Sequence, residues 1–124
     1  MGGKLLLFGF EDLPSILAVR TAAEPFGAEV IPVARADYQK PIAVLAGLDD
    51  GDAPAAPYVG GPLGGRMMVL CGLEKQVPAL LPALARAGAG PACVKAVLTP
   101  HNRTWNALKL FAELCRERQA LADK

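Results

Sequence analysis

Two continuous apolar runs constrain the fold of this chain more than any other feature of its sequence. Residues Lys4–Phe10 and Arg66–Leu73 read KLLLFGF and RMMVLCGL, and neither run alternates between apolar and polar side chains. A strand with one face in water alternates, so both runs predict strands that are buried on both faces. Such strands lie inside a sheet that helices cover on both sides.

Two further strands are predicted at the edges of the same sheet. Ala28–Ala34 reads AEVIPVA, and its Pro32 predicts an edge position because proline cannot donate to a hydrogen-bond ladder. Cys93–Thr99 is the fourth predicted strand, and Lys95 within it indicates the opposite edge.

Apolar residues at spacings of three and four follow each predicted strand and predict a helix there, which gives the order β-α-β-α-β-α-β-α. Asp12 and Asn106 are the predicted N-caps of the first and last helices, and Asp37 that of a short second helix. Pro82 lies within the third helical stripe and is expected to bend that helix or delay its start.

This order fits two architectures. The favoured one is an α/β fold with a four-stranded, mostly parallel sheet, the first and third strands central and helices on both faces. The alternative is a ferredoxin-like α+β fold with an antiparallel sheet, in which the second and third strands form a hairpin. About thirty residues separate those two strands, too many for an ordinary hairpin, which favours the first architecture. Residues 1–124 suit a single domain that contains a flexible Gly/Pro-rich loop at 48–65.

Composition excludes several functional classes. The net charge is +1 and the charges are scattered, which argues against nucleic acid as the main partner. No apolar run approaches the roughly 20 residues that cross a bilayer, and the first residues do not resemble a signal peptide, so we expect a cytoplasmic protein. Three cysteines without a Cys-x-x-Cys pair predict no disulfide framework and no zinc ribbon, and no cofactor is expected.

The turn between the fourth strand and the last helix is the predicted binding region. Thr99, Asn102, Arg103 and Trp105 converge there, and a helix N-terminus favours phosphates and carboxylates. The expected ligand is therefore small and anionic. The alternative interpretation is structural: Thr99 and Asn102 satisfy their own turn, and Trp105 covers the core.

A weaker candidate site combines a thiol with an imidazole. If the sheet is parallel, Glu11, Asp12, Cys71 and His101 all follow strand ends at one edge, where a cysteine nucleophile could meet a base. The alternative is that Cys71 fills the core, Asp12 caps a helix and His101 lies on the surface. One histidine, one cysteine and scattered carboxylates are too few ligands at too irregular a spacing for a metal, so no metal site is predicted.

The segment from Met67 onward carries a family resemblance. The strings LCGL and KAVLTP, followed by Asn102 and Trp105, resemble a bacterial family of domains of unknown function, family 3783, whose turn reads Thr-Pro-Thr-Asn before a tryptophan. The resemblance covers roughly the last half of the chain and implies no activity. His101 stands where the family pattern has threonine, which weakens any mechanism that needs an imidazole there.

The function expected from the sequence is a non-catalytic binding or interaction module with its site at the turn 99–105. One alternative is a thiol-dependent enzyme that uses Cys71 near His101. Another is a homo-oligomeric structural protein joined through an edge strand or the last helix.

Overall fold

The computed structural model describes residues 3–48, 56–90 and 92–122. The strands are β1 (Lys4–Phe8), β2 (Glu29–Pro32), β3 (Arg66–Cys71) and β4 (Cys93–Val97). The helices are α1 (Leu13–Ala23), α2 (Ile42–Leu45), α3 (Val77–Arg86) and α4 (Ala107–Ala122). Each half of the chain, residues 3–48 and 66–122, therefore has the order βαβα.

The four strands form one sheet in the order β2-β1-β3-β4. The two apolar strands are central, and the edge positions predicted from Pro32 and Lys95 are confirmed. The ferredoxin-like alternative is wrong, because β2 and β3 lie on opposite sides of β1 and cannot pair as a hairpin.

Two of the three strand pairs are parallel, so the predicted mostly parallel α/β sheet is confirmed. β1 runs parallel to β2 and β3 runs parallel to β4, whereas the central pair of β1 and β3 is antiparallel. The strands of the two halves consequently end at opposite ends of the sheet.

Helices cover both faces of the sheet and divide the core into two layers. On one face α1 and α3 pack together over Leu5, Leu7 and the β3 side chains Met68 and Leu70. On the other face α2 and α4 cover alternate residues of the same strands. The buried residues of that second layer are Leu6, Phe8, Tyr38, Ile42, Ala46, Met67, Val69, Cys71, Val94, Ala107 and Leu110.

Both central strands end earlier than their apolar runs. Gly9 and Gly72 follow them with φ of 81° and 70°, a left-handed conformation that glycine adopts without steric cost. The chain turns away from the sheet at each glycine, and the next apolar side chain, Phe10 or Leu73, packs under the helices instead.

Two of the three predicted helix caps are confirmed. The Asp12 carboxylate accepts from the amide of Ser15 at 2.9 Å, and the Asn106 side chain accepts from the amide of Lys109 at 2.9 Å. Asp37 does not cap α2, because it lies in a 3₁₀ turn and Pro41 precedes the helix. Pro82 lies inside α3 without delaying its start, since the helix begins at Val77.

The predicted loop at 48–65 falls partly outside the described residues, which omit 49–55. Its described part has no helix or strand, but Tyr58 is anchored, its amide donating to Ala36 O at 2.9 Å. The flexibility of the loop stays a prediction. Within the described part of the chain, no helix is both long and apolar enough to cross a membrane.

Candidate functional site

The turn that follows β4 is held by its own side chains. The amide of Thr99 donates to Asn102 Oδ1 at 2.9 Å, and the amide of Asn102 donates to Thr99 Oγ1 at 3.1 Å. Asn102 Nδ2 also donates to Val97 O at 3.1 Å, and Asn102 is only 8% exposed. The polar atoms that these two side chains offer to a ligand are thus already engaged in shaping the turn.

The same turn joins the two halves of the chain through backbone hydrogen bonds. The carbonyls of Trp105 and Arg103 accept from the first amides of α2, those of Ile42 and Ala43, at 2.8 and 3.0 Å. In return, the first amide of α4, that of Ala107, donates to the carbonyl of a first-half residue, Tyr38, at 3.2 Å. Because Asn106 takes a further α4 amide, the helix N-terminus has fewer donors for an anion than the sequence suggested.

Three side chains beside the turn form an aromatic and cationic cluster. The rings of His101 and Trp105 meet edge to face with centroids 5.0 Å apart. On the indole, Lys109 Nζ lies 4.8 Å from the ring centroid, a cation–π contact. Trp105 is partly buried against the α2–α4 layer, so its ring packs on the core and remains partly exposed.

These rings form one end of a groove of about 490 Å³ between β4 and α4, here called the β4–α4 groove. Two carboxylates, those of Glu113 and Glu117, line it farther along the helix, and Glu113 also pairs with Arg116. The complete lining is Ala96, Val97, Thr99, His101, Asn102, Trp105, Leu110, Glu113, Leu114 and Glu117.

A smaller groove of about 120 Å³ flanks β4 on the opposite face of the sheet. It is lined by Leu70, Val77, Leu81, Lys95, Ala96 and Val97. Lys95 Nζ donates to the carbonyls of Gly90 at 2.9 Å and Cys93 at 3.1 Å, which holds the ammonium back along its own strand. Ala96 and Val97 border both grooves, so the outer edge of β4 runs between them.

Backbone groups of β4 face outward along this edge. Leu98 donates to Leu70 O at 2.9 Å, and backbone groups alternate in direction along a strand, so those of Lys95 and Val97 point away from β3. The outward carbonyl of Val97 is the one that accepts from Asn102. The outward edge open to another strand is therefore short and centred on Lys95.

Arg103, the predicted anion-binding cation, lies on the other side of the turn from the β4–α4 groove. It lines a separate cleft of about 370 Å³ together with Leu48, Leu98, Thr99 and Pro100. The structure therefore divides the four predicted binding residues: Trp105 and Arg103 line different clefts, while Thr99 and Asn102 form the turn between them. Their role in ligand binding stays a prediction.

The expectation that Glu11 and Asp12 share one edge of the sheet with Cys71 and His101 is wrong, although Cys71 and His101 follow the ends of two parallel strands. β3 runs antiparallel to β1, so the end of β3 at Cys71 lies opposite the beginning of β1 at Lys4. Glu11 and Asp12 follow the other end of β1, where they pair with Arg35 at 3.0 Å and Arg66 at 2.7 Å.

The Cys71 thiol is poorly suited to act as a nucleophile. Its side chain packs in the α2–α4 layer, and the residue is 3% exposed. Burial raises the thiol pKa to about 11, although the charge of Lys4 opposes the shift. The reactive form of cysteine is the thiolate, which a raised pKa disfavours. Burial also raises the pKa of the Cys93 thiol.

Sequence reasoning missed the two glutamates of the β4–α4 groove. Trp105, Lys109, Glu113 and Glu117 recur every four residues, the spacing that places side chains on one face of a helix. That signal was present, but the position of β4 beside this stripe depends on the fold. Among the described residues, no three His, Cys, Asp or Glu side chains are grouped so as to hold a metal ion.

Comparison with known proteins identifies the second half of the chain. Residues 66–121 match the family model described as a domain of unknown function, DUF3783. The second half of the chain is similar to this family. The match begins at the first residue of β3 and ends within α4, and it confirms the resemblance seen in the sequence. No curated protein and no solved structure matches the chain significantly. The description of the DUF3783 family names no activity.

Proposed function

We propose that this protein is a non-catalytic interaction module that binds an extended, basic peptide segment of a partner along β4. The observation that carries the proposal is the β4–α4 groove, which lies beside an edge strand and is lined by an indole, an imidazole and two carboxylates. An edge strand with shaped grooves on both faces is the surface that strand-addition modules use.

Geometry supports an extended occupant. Successive side chains of a strand point to opposite faces, so a strand laid beside Lys95 would direct alternate side chains into the two grooves. Pairing with the outward backbone of Lys95 supplies only a few hydrogen bonds, because Val97 O is already bonded to Asn102. Side-chain contacts in the grooves therefore carry most of the affinity.

Charge supports a basic occupant. Glu113 and Glu117 line the groove on the α4 side, and the Lys109 ammonium lies over the Trp105 indole, a contact that a cation of the peptide would make in its place. An arginine side chain combines a planar cation with five donors, which suits stacking on an indole beside carboxylates.

A peptide of alternating valine and arginine is the probe for this proposal. We expect amide chemical-shift changes at Lys95 and at the Trp105 indole, and Trp105→Ala should weaken binding about tenfold, the equivalent of about 1.4 kcal/mol. Glu113→Gln combined with Glu117→Gln should weaken binding and reduce its salt dependence. Glu24→Gln, an exposed glutamate of the first half, is the matched control.

The acidic counterpart of the peptide, with glutamate in place of arginine, should not bind. Equal binding of the two peptides, or shifts confined to residues away from β4, would contradict the proposal.

The cleft at Arg103 favours one second candidate, the small anionic ligand expected from the sequence. Arg103 lines this cleft, and a guanidinium can bind a carboxylate or phosphate. Inorganic phosphate and a panel of sugar phosphates test it by thermal shift and by chemical-shift changes at Arg103. Absence of both effects rules out this candidate and leaves the peptide proposal unaffected.

A further inference from the structure

The central strand pair has a symmetric register. β1 and β3 are antiparallel, and an axis between Leu6 and Val69 exchanges the two strands. A two-fold rotation about this axis superposes each of the other residue pairs on another observed pair. The two strands therefore match without a shift in register. The residues that face each other across the two strands are Lys4 and Cys71, Leu5 and Leu70, Leu6 and Val69, Leu7 and Met68, and Phe8 and Met67. The residues that the rotation makes equivalent are different ones, for example Leu7 and Leu70.

The same equivalence continues past the strands. It places Gly9 on Gly72, the two glycines with φ of 81° and 70° that end the central strands. Each is followed by an apolar residue and a glutamate, and then by a helix with proline in its first turn, Pro14 in α1 and Pro78 in α3. Repetition of these local signals marks two copies of one folding pattern.

The two edge strands, β2 and β4, also make equivalent hydrogen bonds to the central strands. Val33 donates to Leu7 O at 2.8 Å, just beyond β2. Leu98 donates to Leu70 O at 2.9 Å, just beyond β4. Leu7 and Leu70 are equivalent under the register of the central pair, so the two edge strands leave the sheet at matching points.

The two halves also exchange contacts reciprocally on the α2–α4 face. The turn before α4 accepts from α2 through Arg103 O and Ala43 N at 3.0 Å. The turn before α2 accepts from α4 through Tyr38 O and Ala107 N at 3.2 Å. Each half thus completes the start of the helix in the other half, as the subunits of a two-fold dimer do.

We propose that the chain is a duplicated βαβα unit whose halves meet at an interface between like units, and that a second copy of this chain can enter that interface by exchanging halves. The match to DUF3783 spans one unit, from β3 to α4, which supports the division of the chain at this boundary. The central interface is defined here as the β1–β3 pairing with the reciprocal contacts of Tyr38 and Arg103.

Exchange conserves every contact across the central interface. A half from a second copy presents the same strand and turn as the half of the same chain, and residues 48–65 are the only covalent link between the halves. Elements joined through one connecting segment can exchange between identical chains at low cost. The intramolecular arrangement prevails at low protein concentration, because the linked half has the higher effective concentration.

A cross-link between two full-length chains tests the proposal. One chain carries Lys4→Cys with Cys71→Ser, the second retains Lys4 and Cys71, and both carry Cys115→Ser to remove the exposed thiol. The two are unfolded together, refolded at high concentration and oxidised. Lys4 and Cys71 are opposed in the register, so exchange brings a thiol of each chain together. We expect a covalent dimer that contains both chains, with the mass shifted from monomer to dimer.

The positive control is a chain with Lys4→Cys that keeps its own Cys71 and should close the bond within one molecule. If this bond closes and no mixed dimer forms, the proposal is overturned.

A second measurement keeps the proposal testable if these variants do not fold. A protease site inserted between Val59, which is 91% exposed, and Gly60 allows the full-length protein to be cut between its halves. Cut protein that is isotope-labelled is mixed with unlabelled cut protein in denaturant and then diluted. Native mass spectrometry should find as many mixed complexes as matched ones. Halves that remain separate would overturn the proposal.

Discussion

The two halves of the molecule share an architecture but differ in what they expose. In the first half, the helix after the edge strand has four residues, Ile42–Leu45, and Gly47 follows it with a φ of 73°. In the second half the equivalent helix continues for 16 residues, Ala107–Ala122. The longer helix forms one wall of the β4–α4 groove. The proposed binding surface therefore lies in the second half.

The edge strands show the same contrast. Pro32 in β2 lacks the backbone N–H that a ladder needs, a common protection of sheet edges. β4 has no proline, and its lysine is held by the carbonyls of Gly90 and Cys93. Equal folds thus do not imply equal surfaces, because the buried pattern determines the fold while the exposed residues are free to differ.

The strongest test of the equivalence is a matched pair of core truncations. Leu7 and Leu70 occupy equivalent positions and are 0% and 1% exposed. Leu7→Ala and Leu70→Ala should each lower the free energy of unfolding by about 2–5 kcal/mol, because each leaves a cavity in the same layer. Chemical denaturation measures both. Leu13→Ala, at an exposed leucine of α1, should change stability by less than about 0.5 kcal/mol. A truncation without effect in one half would break the equivalence.

The second test concerns the position where Phe8 in one half corresponds to Cys71 in the other. Iodoacetamide at pH 8 should label the exposed Cys115 readily and Cys71 about a hundredfold more slowly. The thiolate fraction falls about tenfold for each pH unit by which the pKa rises, and burial limits access further. Mass spectrometry of the peptides distinguishes the sites, with unfolded protein as the control. Rapid labelling of native Cys71 would support the thiol-dependent enzyme instead.

The third test compares the turns before α2 and α4. Asn102→Ala removes the two hydrogen bonds that the Asn102 side chain makes in a buried turn and should cost about 1–3 kcal/mol. Asp37 is the equivalent residue of the first half, since it lies four residues after Val33 as Asn102 lies four residues after Leu98. It makes a half-exposed ion pair with Lys40, and Asp37→Ala should cost at most about 1 kcal/mol. Thermal unfolding of both variants provides the comparison. Similar losses would mean that the second turn is not the more specialised one.

The smallest effect is expected at the two helix caps. Asn106→Ala should cost about 1 kcal/mol at any pH, because the amide cap does not titrate. The Asp12 carboxylate accepts hydrogen bonds from Ser15 and lies beside Arg66, and these contacts lower its pKa below the ordinary 3.8. Its contribution is therefore complete above that ordinary value and is lost as pH falls through the lowered pKa. Asp12→Asn should flatten this acid limb in denaturation measured across pH, whereas an unchanged limb would show that Asp12 does not contribute.

The turn at the candidate site was predictable from the sequence, but the division of its residues between two clefts was not. The sequence predicts the turn 99–105, its Asn102 and Trp105, and the Asn106 cap from local chemistry alone. It could not show that Arg103 and Trp105 line different clefts, because the side of the turn each occupies depends on packing against the first half. Nor could it show that Tyr38 accepts from α4, a contact between residues far apart in the chain.

The duplication had a sequence signal that is easily missed. Both apolar strands are followed by glycine, an apolar residue and glutamate, GFE and GLE, and then by a helix with an early proline. The repeated residues are few because only the backbone turn and the buried pattern have to be kept. Sequence identity between the halves is correspondingly low.

The sequence alone determined which strands are central, which are at the edges, and that helices cover both faces, because apolar runs and a strand proline act locally. Only the tertiary structure decided that β1 and β3 are antiparallel. Buried strands have the same apolar composition in either direction, and direction is set by how the whole chain closes over the core. That one choice separated Glu11 and Asp12 from Cys71.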